Sequence, residues 1–119
     1  MLTMNHDLEG ALRTYLSLLE ERAYFDAHEV LEEAWHPLRR ANHPMKNLLK
    51  GLINGAISFE HIERNRVNAE ERARKVMKAF DKHKALAQNA PEYRSLFQSA
   101  CRKIEALKRE RRDIFNISA

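Results

Sequence analysis

The sequence has few of the residues that cross-link or interrupt a chain: one cysteine, three glycines and three prolines among 119 residues. A single cysteine cannot form an internal disulfide, so we expect a reducing, cytoplasmic compartment. So few turn residues argue against a protein built from many short strands. No apolar run is long enough to cross a bilayer and no secretory leader is evident, so we expect no membrane association.

The composition is that of a folded domain of moderate charge. Apolar residues make up 44% of the chain, which is too high a share for a disordered protein. Twenty-one lysines and arginines against 17 aspartates and glutamates leave a net charge of +4. This excess favours weak attraction to anions, but it does not by itself indicate nucleic-acid binding.

Apolar residues recur with helical spacing and predict an all-α protein, a five-helix bundle formed by one domain, residues 1–119. The predicted helices cover residues 6–21, 24–40, 44–64, 69–87 and 91–112. The first two must be separate, because a continued first helix would turn Asp26, Glu29 and Glu33 towards the core. Pro44 and Pro91 suit the first turns of the third and fifth helices.

The third helix is predicted to be central, since its apolar residues cover more than half of its circumference. The second, third and fourth helices would then form a three-helix core. Gly51 and Gly55 predict the close approach of a neighbouring helix, with Trp35 as the expected neighbour. Asn68 and Glu71 have the spacing of a capping box at the start of the fourth helix. The wide apolar arc also allows a homodimer without requiring one.

Polar residues share the apolar face of the second helix with aromatic ones. His28 and Glu32 are one helical turn apart, and Trp35 lies about 20° from His28 around the helix. Phe25 flanks them on the other side. Because burying an unpaired imidazole or carboxylate is costly, each should have a partner or a ligand.

A polar stripe on the third helix, Lys50, Asn54 and His61, would face this segment if the two helices pack antiparallel. His28, Glu32 and His61 would then converge, and such a set can hold a divalent metal ion with positions open for water. The alternative is a structural network in which His28 donates a hydrogen bond to Glu32 and Lys50 or Asn54 completes the set. The residues alone leave both alternatives open.

Other chemical interpretations have less support. Glu29 lies about 100° from His28 around the helix, which excludes the arrangement of a zinc protease. The basic residues of the fifth helix are interrupted by acidic ones and fit a solvated face. Without a helix-turn-helix pair or interleaved aromatic residues, nucleic-acid binding is not expected. Cys101 has no evident activating base and is not a candidate nucleophile.

The segments FDAHEVLEEAW, residues 25–35, and KGLINGA, residues 50–56, together with His61, resemble a known family. It is the domain of unknown function 309 family, small all-helical proteins of bacteria and archaea. The resemblance covers about residues 15–85 and implies a helical fold. It directs attention to a set of four residues: His28, Glu32, Trp35 and His61.

Two functional hypotheses follow. The family has carried the label of a predicted metal-dependent hydrolase, and here His28, Glu32 and His61 would hold the ion that activates a water molecule. Lys50 or Asn54, which stand where family members often carry glutamine, would orient the substrate. The alternative is a non-enzymatic, self-associating helical module in which the same cluster is structural.

Overall fold

The computed structural model describes the backbone of residues 4–116 and the side chains of residues 8–116. These residues form helices and connections, with no strand among them. The helices are α1 (Met4–Glu20), α2 (Tyr24–Arg40), α3 (Lys46–Arg64), α4 (Ala69–His83), a 3-10 helix (Lys84–Asn89), α5 (Arg94–Glu110) and α6 (Arg112–Phe115). The predicted all-α bundle is confirmed. None of the described helices is long and apolar enough to span a membrane.

Helix α3 lies at the centre of the bundle, as its wide apolar arc predicts. It packs most extensively against α4 and α2, which gives the three-helix core expected from the sequence. Helix α1 packs on α2, while α5 packs on α1, α3 and the 3-10 helix. The core is one continuous cluster of buried apolar side chains, among which Tyr15, Phe80 and Phe97 are the largest that are fully buried.

The two glycines inside α3 allow two helices to approach closely. A Cβ atom at Gly51 would lie 3.1 Å from the carbonyl oxygen of Ala79 and 3.1 Å from the Cα atom of Phe80, both in α4. At Gly55 it would lie 3.1 Å from the side-chain Cδ1 atom of Ile104 in α5. The predicted close approach is therefore correct, but the expected neighbour, Trp35, is wrong, because α4 and α5 rather than α2 cover the glycines.

Two buried side-chain hydrogen bonds tie α3 to its neighbours. The Tyr15 hydroxyl donates to the carbonyl oxygen of Leu52 at 2.7 Å, and the Ser58 hydroxyl donates to the carbonyl oxygen of Ala73 at 2.8 Å. Each bond satisfies a hydroxyl that would otherwise be buried without a partner. The bonds set the position of α1 and α4 along α3, and so help to fix the ends of α3 and α4 that border the site described below.

Several predicted boundaries differ from the structure. The chain does break between α1 and α2, where Arg22 adopts a left-handed backbone conformation with φ of 61°. Helix α3 begins two residues after Pro44, in a turn where the Met45 amide donates to Nδ1 of His43 at 3.0 Å. The predicted fourth helix ends earlier, at His83, and a 3-10 helix takes its last residues.

The start of α5 was also predicted too early. Ala90 is extended, as a residue before proline prefers, and Tyr93 is left-handed with φ of 57°, so the helix begins only at Arg94. The predicted capping box at the start of α4 is absent: Asn68 is left-handed, with φ of 61°, and its side chain makes no capping hydrogen bond. A left-handed residue does not have the extended backbone that a capping box requires.

Candidate functional site: a basic pocket between α2, α3 and α4

The contacts between α2 and α3 show that the two helices run antiparallel, which is the packing on which the predicted convergence of His28 and His61 depends. Near the start of α2, the Arg64 guanidinium from the end of α3 lies 5.6 Å from the centre of the Phe25 ring. Near the end of α2, the Lys50 ammonium from the first turns of α3 lies 4.5 Å from the centre of the Trp35 ring. Residues at the start of α2 therefore meet the end of α3, where α4 also begins.

A pocket of about 230 Å³ opens at this meeting point. Its lining residues are Phe25 and His28 from α2, Ile57, Glu60, His61 and Arg64 from α3, Arg66 from the α3–α4 connection, and Ala69 and Arg72 from α4. Three helices and one connection thus contribute to a single concavity. The pocket is smaller than those of roughly 300–1,000 Å³ that enclose a drug-sized ligand.

Positive charge dominates the lining of the pocket. Arg64, Arg66 and Arg72 are opposed by one carboxylate, Glu60, which leaves a net charge of +2 when both histidines are neutral. Glu60 accepts a hydrogen bond from Nε of Arg64 at 2.5 Å. Among residues 8–116, Arg66 and Arg72 have no ion pair and no side-chain hydrogen bond, so their donors are free for a ligand or water.

The first turn of α4 adds to this positive field. Ala69 and Arg72 lie in that turn, where the helix dipole places partial positive charge, although their own amides already donate to the carbonyl oxygens of Arg66 and Asn68 at 2.9 Å each. Glu70 and Glu71 lie in the same turn but do not line the pocket. The arginine side chains and the helix end therefore act in the same direction on anything bound in the pocket.

The two histidines of the pocket differ in their local surroundings. Nδ1 of His28 is buried and has no hydrogen-bond partner among the described residues. A buried polar atom without a partner is uncommon and calls for water or a ligand. The pKa of His61 is lowered, first by burial and then by the positive charge of Arg72, with Arg64 and Arg66 adding to the effect and Glu60 opposing it.

Apolar surface lies directly beside these charges. Phe25, which lines the pocket, is 43% exposed, and Val67, next to Arg66, is 80% exposed. They are the two large apolar side chains classed as exposed among the described residues. One face of Phe25 is occupied by the guanidinium of Arg64, and the His28 ring stands edge-on to it with the ring centres 5.1 Å apart.

The structure brings together only part of the site predicted from sequence. His28, His61 and Phe25 line one pocket, whereas Glu32 does not line it. Trp35 lies further along α2, between the cations of Lys50 at 4.5 Å and Arg39 at 5.0 Å from its ring centre. Asn54 is half-buried on α3.

No three histidine, cysteine, aspartate or glutamate side chains within residues 8–116 are arranged to hold a metal ion. The three arginines around His28 and His61 also oppose a divalent cation, so these residues do not fit the metal predicted for them. No hydrogen bond joins His28 to Glu32 in this part of the chain either. The metal site and the structural network both remain predictions, and the geometry of the pocket suits an anion better.

Four of the residues that line the pocket were not predicted from the sequence: Arg64, Arg66, Arg72 and Glu60. The prediction considered the basic residues of the fifth helix instead. The available signal was the concentration of arginines on both sides of a short connection between two amphipathic helices. Such a signal is weak, because a connection on the surface carries charged residues for solubility alone.

The fold and the pocket define a class of small all-α protein with a basic, partly apolar cavity at one end of its core helices. Residues 12–73 match the family described as "Domain of unknown function (DUF309)", and the chain belongs to that family. The matched segment contains every residue that lines the pocket. No curated protein and no solved structure is detectably similar to the chain.

Proposed function

We propose that this protein binds a small molecule through a dianionic group, a phosphate, in the pocket between α2, α3 and α4. The observation that carries the proposal is the convergence of Arg64, Arg66 and Arg72 on one small cavity. The net charge of the lining, +2 with neutral histidines, balances a dianion, whereas a carboxylate would leave part of it uncompensated. Guanidinium groups also present paired donors that match the oxygens of phosphate.

The hydrogen-bonding state of the pocket supports the same ligand. Arg66 and Arg72 have donors that no described side chain accepts. Phosphate oxygens can accept hydrogen bonds from both guanidinium groups. The cavity of about 230 Å³ is large enough for a phosphate with the first atoms of its ester group.

The proposal is tested by titrating the 15N-labelled protein with inorganic phosphate in a low-salt buffer and following the amide resonances. We expect saturable shifts that concentrate on residues 57–72 and on the start of α2. Titration with sodium chloride to the same ionic strength should not reproduce them, since general screening acts on the whole surface.

A matched pair of variants separates the pocket from overall charge. Arg72→Gln removes a pocket guanidinium, while Arg39→Gln removes one that lies over Trp35 and outside the pocket. A hydrogen bond to a charged group contributes about 1.5–3 kcal/mol, so Arg72→Gln should weaken phosphate binding roughly 10–100-fold. Arg39→Gln should change it less than about twofold. Equal effects of the two variants, or shifts spread over the whole surface, would overturn the proposal.

We further propose a cytoplasmic location for this activity. The chain has one cysteine, and burial together with the negative charge of Glu105 raises the pKa of the Cys101 thiol to about 11, which keeps the thiol protonated. A protein of this kind gains nothing from an oxidising compartment. Fractionation of source cells with an antibody against the protein tests the location, and recovery outside the cytoplasmic fraction would contradict it.

A further inference from the structure

The apolar side chains at the edge of the basic pocket are not explained by phosphate binding alone. Phe25 is 43% exposed and Val67 is 80% exposed, although the protein buries the rest of its large apolar side chains at least partly within the described residues. Phe25 lines the pocket itself, and Val67 adjoins Arg66 in the sequence. Isolated exposed apolar residues such as Val67 are ordinary on a protein surface, but an exposed aromatic ring that lines a charged cavity is available for contact with a bound ligand.

The size of the pocket determines how a ligand would use this surface. A cavity of about 230 Å³ holds a phosphate and little more, so the organic part of a larger ligand must leave the cavity across its edge. Phe25 lies on that path. Its ring is already covered on one face by Arg64 and approached by the edge of His28, which fixes its position.

Resting on the proposed phosphate site, we infer that the ligand is a phosphate monoester with an apolar ester group, and that this group packs against Phe25. An apolar group next to the phosphate would remove the exposed part of the Phe25 ring from water, which is favourable. A polar ester group, such as that of a polyol phosphate, would leave the ring exposed and gain nothing from it. Phe25 is then the residue that selects the ligand, while the arginines supply affinity for the phosphate.

Three probes, measured at about pH 8.5 so that each is predominantly a dianion, test the inference: inorganic phosphate, glycerol 3-phosphate and phenyl phosphate. Phenyl phosphate should bind about five- to tenfold more tightly than the other two, which should bind alike. If inorganic phosphate does not bind, the proposed function itself fails. If inorganic phosphate binds and phenyl phosphate binds no more tightly than glycerol 3-phosphate, only the inference about the ester group is overturned.

Variants of Phe25 assign the effect to one side chain. Phe25 lies outside the buried core cluster, so Phe25→Ala is expected to fold, and its circular dichroism spectrum checks this. The variant should lose the preference for phenyl phosphate, measured as the ratio of its affinities for phenyl phosphate and glycerol 3-phosphate on the same protein. Phe25→Leu, which retains apolar area, should retain part of the preference. A preference that survives Phe25→Ala unchanged would overturn the assignment.

Discussion

Replacing each of the three glycines by alanine, one at a time, tests how closely the helices pack. Alanine is more favourable than glycine inside a helix by about 1 kcal/mol, because glycine loses more backbone freedom on folding. All three residues, Gly10, Gly51 and Gly55, lie within helices, so each substitution starts with the same gain. The differences between the variants then report what the new methyl group meets.

The structure predicts the order of the three variants. At Gly10 the described side chains and the neighbouring helices place no atom within 4 Å of the added Cβ, so Gly10→Ala should stabilise the protein by the full amount, about 1 kcal/mol. At Gly51 the Cβ lies 3.1 Å from two backbone atoms of α4, which can yield only if the helix moves. Overpacking of this kind costs about 1–3 kcal/mol, so Gly51→Ala should be neutral to destabilising by about 2 kcal/mol.

Gly55→Ala should fall between these two. The closest atom there is Cδ1 of Ile104, the end of a side chain, which can move by a small rotation about χ2. Rotation away from the preferred rotamer costs about 0.5–1.5 kcal/mol, which nearly cancels the helical gain. Gly55→Ala should therefore change the free energy of unfolding by less than about 1 kcal/mol in either direction.

Urea denaturation followed by circular dichroism at equal protein concentration measures all three variants. A difference of 1 kcal/mol shifts the urea midpoint by about 0.3–1 M at the m-values usual for small proteins, which is easily resolved. A Gly51→Ala variant as stable as Gly10→Ala would refute the close approach of α4 to α3, and with it the argument that Gly51 is needed for packing.

Four further predictions concern Cys101, His61 and the metal content of the protein. The pKa of Cys101 is raised from 9.0 to about 11, so its thiolate fraction near pH 8 should be about 100-fold lower than that of an ordinary thiol. Iodoacetamide should therefore label Cys101 about 100-fold more slowly in the folded protein than in the unfolded one. Because the pKa of His61 is lowered in the folded protein, the unfolded chain binds more protons, and the free energy of unfolding should fall as the pH decreases below about 6.5. In urea titrations at several pH values, His61→Gln should make this dependence on pH weaker. A bound anion should raise the pKa of His61, so sulfate should bind more tightly at pH 5.5 than at pH 7.5, and a pH-independent affinity would contradict this. Untagged protein should contain no stoichiometric metal by plasma mass spectrometry, and about one ion per chain that is lost in His28→Ala would instead favour the metal-dependent hydrolase.

The candidate site could be predicted only in part, because its members lie on different elements. The spacing of His28 within α2 and of His61 within α3 is local information, and the antiparallel pairing of two apolar faces is enough to bring them together. The arginines follow no such pattern. Arg64 ends α3, Arg66 lies within the α3–α4 connection and Arg72 lies in α4, so their grouping depends on the path of the four residues between the helices.

That path is set by backbone conformations that the sequence suggests but does not determine. Asn65 and Asn68 both adopt left-handed conformations, with φ of 48° and 61°, and together they turn the chain so that α4 returns along α3. Asparagine tolerates this conformation better than most residues, yet it is equally common in caps and open turns. The predicted capping box at Asn68 was wrong for this reason.

By itself, the sequence determined that the protein is helical, where α1 and α2 separate and which helix is central, because these follow from the period of apolar residues along the chain. The packing of the helices determines which helices cover Gly51 and Gly55, that Glu32 does not line the pocket shared by His28 and His61, and that three arginines line this pocket with Phe25. Those facts depend on the rotation and position of one helix against another. The rotation and position of each helix are set by the packing of whole helix faces, and neither produces a periodic pattern in the sequence.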